Sequence, residues 1–157
     1  MIEFSTSDER FMALALAQAA EAARLGEVPV GAVVVMDNEV IAQACNQQIT
    51  LNDPSAHAEV LALRAAAALK GNYRLPGCQL FVTLEPCTMC CGAMVHARVA
   101  RLVFGAREPK AGAVVSTSAA LDNSALNHRV IWNEGLAAEE SAEALKRFFR
   151  ARRASKT

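Results

Sequence analysis

Two short stretches restrict this chain more than anything else in it: His57-Ala58-Glu59 and Pro86-Cys87-Thr88-Met89-Cys90. A fold that brings them together offers one imidazole and two thiols to a zinc ion. A fourth position is left for water, and a carboxylate stands near to move that water's protons. That is a hydrolytic site in outline. A shuffled chain of this composition carries both patterns by accident roughly one time in a thousand. A CxxC also occurs as half of a closed structural zinc site or as a redox pair. A closed site needs a fourth protein ligand, however, and the spare candidates Cys45, Cys78, Cys91, His96 and His128 stand in no second CxxC or HxxxH. The open, catalytic arrangement is the stronger reading.

Local patterns place these stretches on a framework. Thr6 with Glu9 reads as a capping box opening a helix over residues 7–25, stopped by Gly26, with Met12, Ala15, Leu16 and Ala19 on its apolar face. Residues 30–36 and 40–45 read as a hairpin buried on both faces and turned at Asp37-Asn38, with Asn46 at its end. Asp53 as N-cap and Pro54 as first residue predict a second helix to Lys70, followed by Gly71. His57 and Glu59, two residues apart, diverge by about 200° in mid-helix and share a site only near an amino end. Residues 78–84 predict a third strand, and a third helix begins at Cys87 or Thr88 and runs to Arg98. From Cys87, Cys90 lies about 60° and Cys91 about 40° around that helix, so spacing alone admits either as the second thiol. A thiol at a helix amino end feels the positive end of the dipole, which favours the thiolate.

Residues 101–105 predict a fourth strand, 108–112 a polar loop, 113–128 a longer loop with one short helical turn, and 130–132 a fifth strand with Trp132 in packing. A last helix over residues 137–153 turns Leu145 and Phe148 or Phe149 inward and Lys146, Arg147, Arg150, Arg152 and Arg153 mostly outward. This order predicts an α/β fold, a three-layer α/β/α sandwich on a central five-stranded mixed sheet. One domain over residues 1–157 is expected, since a chain of 157 residues, 53% of them hydrophobic, buries roughly 70% of its unfolded surface.

Charge is unevenly spread. Residues 1–145 hold 10 Lys and Arg against 16 Asp and Glu, whereas residues 146–157 hold 6 and none. The end of the chain is a basic handle. Five cysteines, two of them in metal spacing, argue for a reducing compartment. The apolar stretch at residues 11–20 follows Glu3, Asp8 and Glu9 where a secretion signal would have a basic region, and no run approaches the ~20 apolar residues of a membrane span. A cytoplasmic protein with no membrane partner is expected.

The HxE and PCxxC pair resembles the signature of the zinc-dependent nucleoside and base deaminases. Further stretches narrow the likeness: Val28-Pro29-Val30-Gly31-Ala32-Val33, Asn46, Asp53-Pro54, Asn72-Tyr73-Arg74-Leu75, Leu102-Val103-Phe104-Gly105-Ala106, Asn127-His128-Arg129 and Phe148-Phe149-Arg150. Together these are similar to the bacterial tRNA-specific adenosine deaminases, over residues 4–153. The resemblance implies the cytidine-deaminase-like fold and one zinc per subunit held by His57, Cys87 and Cys90. It implies hydrolysis at C6 of adenine by a water sharpened on zinc, with Glu59 moving the protons and ammonia leaving. It also implies substrate contacts at Val28, Pro29, Asn46 and Ala58, and RNA contacts at Lys110, Phe149, Arg150, Arg152 and Arg153. The expected substrate is the wobble adenosine in a tRNA anticodon arm, and the expected assembly a homodimer. Cys45 and Cys91 depart from the family's pattern. A deaminase of a free base or nucleoside and a catalytically silent RNA-binding subunit are the alternatives, the latter disfavoured by Glu59.

Overall fold

The structure, a computed structural model, describes residues 3–155. Helix α1 spans Thr6–Arg24, and Ser5 caps it instead of Thr6. The Ser5 Oγ accepts the Asp8 N–H at 3.0 Å while the Asp8 carboxylate accepts the Ser5 N–H at 3.1 Å. Ser5-Asp8 and Thr6-Glu9 have the same spacing, so the sequence pattern leaves the box free to slide by one residue. Strands β1 (Gly31–Met36) and β2 (Glu39–Cys45) form the hairpin, with Asp37 and Asn38 at φ +50° and +64° as a tight turn requires. The expectation of burial on both faces holds for β1 only. Strand β2 lies at the sheet edge, and Glu39, Val40 and Gln43 are exposed. Its pairing slips between Val34 and Val35, a bulge of the kind that protects an edge.

The second predicted helix starts later than expected. A four-residue helix, α2 (Gln48–Leu51), precedes it, and α3 spans Ala58–Lys70 with His57 as its N-cap. Asp53 and Pro54 make a turn instead: the Asp53 Oδ1 accepts both the N–H and the hydroxyl of Ser55. A carboxylate satisfied two residues on uses the same chemistry as a helix cap, so residue type cannot separate the two. Strand β3 (Gln79–Leu84), α4 (Thr88–Ala97) and β4 (Arg101–Ala106) follow. A single 3₁₀ turn at Ala120–Asp122 interrupts the long loop, then come β5 (Ile131–Glu134) and α5 (Ala138–Ala154). Trp132 stacks on Phe104 at 6.2 Å. Among the described residues no helix is long and apolar enough to cross a membrane.

The sheet order is β2-β1-β3-β4-β5, with β1 antiparallel to both neighbours and β3, β4 and β5 mutually parallel. Alternate side chains of the central strands feed two separate cores, which is why those strands read as unbroken apolar runs. Ala32, Val34, Leu80, Val82, Leu102 and Phe104 meet α3 and α4 on one face. Val33, Val35, Phe81 and Val103 meet Phe11, Met12 and Ala15 of α1 on the other, where α5 also lies against β4 and α1. Helix α1 presses so close that a Cβ at Gly31 would stand 2.0 Å from the Ala15 carbonyl oxygen. The α/β/α sandwich on a mixed five-stranded sheet is therefore the observed fold. Its parallel strands end together where the amino ends of α3 and α4 meet, the usual place for a site in such a sheet.

Candidate metal centre and active site

His57 and Cys87 are each the residue before a helix begins. Both have extended backbones, φ −71°, ψ 150° for His57 and φ −80°, ψ 177° for Cys87, so their side chains leave the helix axis and project past its end. Neither caps its own helix with a side-chain bond. Cys90, three residues on, folds back over the first turn of α4. His57 Nδ1 lies 3.6 Å from the Cys87 Sγ and 3.5 Å from the Cys90 Sγ, and the two sulfurs are 3.7 Å apart. Tetrahedral zinc with bonds of about 2.3 Å to sulfur and 2.05 Å to nitrogen sets those separations at about 3.6 Å and 3.8 Å. The three donors fit zinc without rearrangement, and they are the sole group of three or more such ligands found among the described residues.

The choice between thiols is settled by the same geometry. Cys91 begins the helical ladder by donating its N–H to the Cys87 carbonyl at 2.9 Å, and its side chain is buried in the core with Met94 and Val95. Burial pushes the Cys91 thiol up to about 12. Cys87 behaves oppositely. Hydrogen bonds from Cys90 and then from His57 hold it down at about 3 in spite of burial, while the bond it shares with Cys90 pushes that partner thiol up. His57 is pushed up by its bond to Cys87. Negative charge thus gathers on Cys87, in front of two helix amino ends whose dipoles favour it.

Glu59, the second residue of α3, is 4% exposed, and burial raises its carboxyl above the usual range. It shares a cavity of about 170 Å³ with His57 and Cys87. That is below the roughly 300–1,000 Å³ of clefts for drug-sized ligands and suits one planar heterocycle. Asn46 also lines it, but both ends of its amide already serve the fold: Oδ1 accepts the Ala58 N–H at 2.8 Å and Nδ2 donates to the Val28 carbonyl at 3.2 Å. One hydrogen and one lone pair of that amide are left over. Val28 lies on the cavity wall, Pro29 is buried beside it, and the Ala58 side chain is wholly buried in the core.

Lys110 is exposed on the loop that contributes Glu108 and Ala111 to the wall. Helix α5 buries only Ser141, whose hydroxyl donates to the Thr83 carbonyl at 2.5 Å; Leu145 and Phe148 are half-buried and Phe149 is exposed. Phe149, Arg150 and Arg153 share a shallow groove with Leu145 and Lys146, and Arg152 stands 5.2 Å over the Phe148 ring. Two buried acids were missed in reading the sequence. Glu27 is 2% exposed and accepts from the N–H groups of Ile49 and Thr50, so it opens α2 beside the cavity-lining Gln48. Burial opposes its ionisation, but those bonds, with a smaller contribution from the charge of Arg152, hold it below the usual range. Glu85 is the other, and its place between a central strand and a metal-type cysteine was the available signal.

The model of the cytidine and deoxycytidylate deaminase zinc-binding region matches residues 5–106. The tRNA-specific adenosine deaminase of Haemophilus influenzae is 47% identical over 153 residues, 97% of this chain and 88% of that protein. The enzyme of the same name from Bacillus subtilis is 42% identical over 151 residues, 96% and 94%. A solved structure from work on A-to-I editing by tRNA:A34 deaminases at the wobble position of transfer RNA superposes with a TM-score of 0.85, at 48% identity and over 87% of this chain and 99% of that one. A guanine deaminase from Bacillus subtilis is more distant, with a TM-score of 0.64 at 31% identity, covering 93% of each chain. With its three zinc donors assembled and likeness running through nearly its whole length, the chain belongs to the tRNA-specific adenosine deaminases, a branch of the zinc-binding cytidine and deoxycytidylate deaminase family.

Proposed function

We propose that the protein hydrolyses adenosine to inosine at the wobble position of a tRNA anticodon loop, releasing ammonia. The observation that carries this reading is the grouping of the His57, Cys87 and Cys90 donors beside a base-sized cavity that His57 and Cys87 share with buried Glu59. Those three side chains would hold a zinc ion, which would supply a nucleophile at neutral pH by lowering the pKa of water toward ~7. Glu59 takes a proton from the attacking water and passes it to the ring nitrogen N1, then takes the proton of the new C6 hydroxyl and hands it to the amino group, so that the C6–N bond breaks, ammonia leaves and the C6 carbonyl forms. Its burial suits the role, since a carboxyl raised above its usual range is a stronger base toward the attacking water and stays protonated until the proton is handed on. Asn46 keeps Val28 against the start of α3, and since it lines the cavity its remaining hydrogen and lone pair are the groups it would offer a base edge.

An anticodon loop suits this site because its bases are already single-stranded and cost little to turn outward. Arg150, Arg152 and Arg153, with the exposed ring of Phe149, give the loop's phosphates and a neighbouring base something to rest on. A tRNA substrate also sets the work in the cytoplasm. The exposed Leu69 near the end of α3 and Tyr73 just beyond it, 65% accessible each, are apolar surface that a homodimer would cover. The test is to incubate the protein with a transcribed anticodon arm carrying adenosine at the wobble position and to sequence for inosine. Inosine at that position alone is expected, with no ammonia from guanine, adenine or cytidine offered without RNA. Release from a free base, with an unedited arm, would reassign the substrate.

A further inference from the structure

Glu85 follows β3 and precedes Pro86-Cys87, yet the chemistry above gives it no part. Its side chain is 3% exposed, and its carboxylate is ringed by donors from one loop. Oε2 accepts the N–H groups of Val114, Val115 and Ser116 at 3.1, 2.8 and 2.9 Å. Oε1 accepts the Glu108 N–H at 3.0 Å and the Ser116 hydroxyl at 2.5 Å. Gly112 packs against the same group: a Cβ there would lie 2.4 Å from Oε1 and 2.6 Å from the Glu108 carbonyl oxygen. Residues 107–119 hold no helix or strand of their own; backbone bonds within the loop and to Pro86 shape it in part, and the Glu85 carboxylate ties Glu108 and residues 114–116 to a single group. Two residues of that loop, Glu108 and Ala111, are cavity wall, and Glu85 itself lines the same cavity.

We propose that Glu85 is a positioning residue for the deamination: its carboxylate pins the 108–116 segment so that Glu108 and Ala111 complete the wall that receives the target base. The inference rests on the reading that the cavity takes an adenosine from RNA. A carboxylate is needed because five donors converge on two oxygens, and an amide has only one. Glutamine at this position keeps its oxygen on the three N–H groups of residues 114–116, and the Ser116 hydroxyl turns to accept. The N–H of Glu108 then faces an N–H, so the least disturbed outcome still releases a residue of the cavity wall. The zinc donors stand at the starts of α3 and α4, and the loop's tie to the second of these, the Ala113 N–H donated to the Pro86 carbonyl at 2.8 Å, is a backbone bond that neither substitution removes.

Glu85→Gln and, separately, Gly112→Ala test this, the second by pushing the loop off an unaltered carboxylate. In zinc-loaded protein both variants are expected to keep one zinc per subunit and to exchange the Glu108 amide faster with deuterium. On the wobble-adenosine arm KM should rise about tenfold while kcat stays within about threefold, the mark of lost substrate capture with the chemical step intact. Unchanged KM with faster exchange would overturn the proposal, as would loss of zinc, which would make Glu85 a support of the metal centre. If wild-type protein leaves the arm unedited, the proposed substrate is what fails. Exchange at Glu108 and at residues 114–116 still decides whether the carboxylate pins the loop.

Discussion

One step along α4 separates a metal ligand from a core residue. Helical residues turn by about 100° each, so where Cys90 faces His57, Cys91 faces the interior. Spacing from Cys87 admitted either thiol, because which side of the helix meets the core is decided by packing against β3 and α3 and not by the CxxCC run itself. Cys90→Ala is expected to lose zinc and turnover together, whereas Cys91→Ala keeps zinc at one per subunit and costs on the order of 1 kcal/mol of stability for a buried sulfur removed. Metal analysis of the two purified variants distinguishes them. Glu59→Gln keeps all three donors and loses the proton carrier, so zinc stays while turnover drops by roughly 10²–10⁴-fold. Near-normal deamination by that variant would remove Glu59 from the mechanism. His57, Glu59 and the two-cysteine motif were legible because metal and proton chemistry tolerate few residue types. Glu27 was not, since a buried acid held by backbone N–H groups has no spacing rule, and for Glu85 only its place beside Pro86-Cys87 gave a hint.

At the scale of elements, type and order could be read from the chain while starts and edges could not. The amino end of α3 shows why: Asp53-Pro54 has the composition of a helix start, and the backbone uses it for a turn. The delay matters to the site, because it is what makes His57 a cap residue with its ring beyond the helix end. Helix α1 is tied to the sheet by Asp8, which takes part in its cap and also accepts from Arg101 at 2.9 Å. Arg101 in turn donates to Gln79 and Asn133, so three strands and one helix share one guanidinium. Burial opposes ionisation of Asp8, but Arg101 and Ser5 outweigh it and hold the carboxyl below its ordinary 3.8. A depressed acid stabilises the fold above its unfolded pKa and loses that contribution as pH falls through the folded value. The Tm gap between wild type and Asp8→Asn should therefore be full at neutral pH and shrink below about pH 4. A gap that stays constant into acid would show that charge on Asp8 contributes nothing.

For the whole molecule the governing feature is a division of labour between an acidic body and a basic end. The formal net charge of zero hides it. Helix α5 buries little, and its basic residues Lys146, Arg147, Arg150, Arg152 and Arg153 are all exposed. Replacing Arg150, Arg152 and Arg153 with alanine should weaken binding of the anticodon arm most at low salt, with the defect fading as salt rises, because fewer counterions are released. Equal losses at every salt concentration would point to broken structure and not to phosphate contacts. The layered fold and the basic end could be foreseen from periodicity and charge, whereas the edge position of β2 could not, since nothing local to a strand states what pairs with its far side.

His57 and Cys87 also hold consequences beyond catalysis. Two helices whose opening residues grip the same cation are buttoned to each other by it, so the enzyme's tool doubles as a clasp in its architecture. Stripping the ion with a chelator should unfasten both helix starts, lower the melting temperature, and be reversed by added zinc.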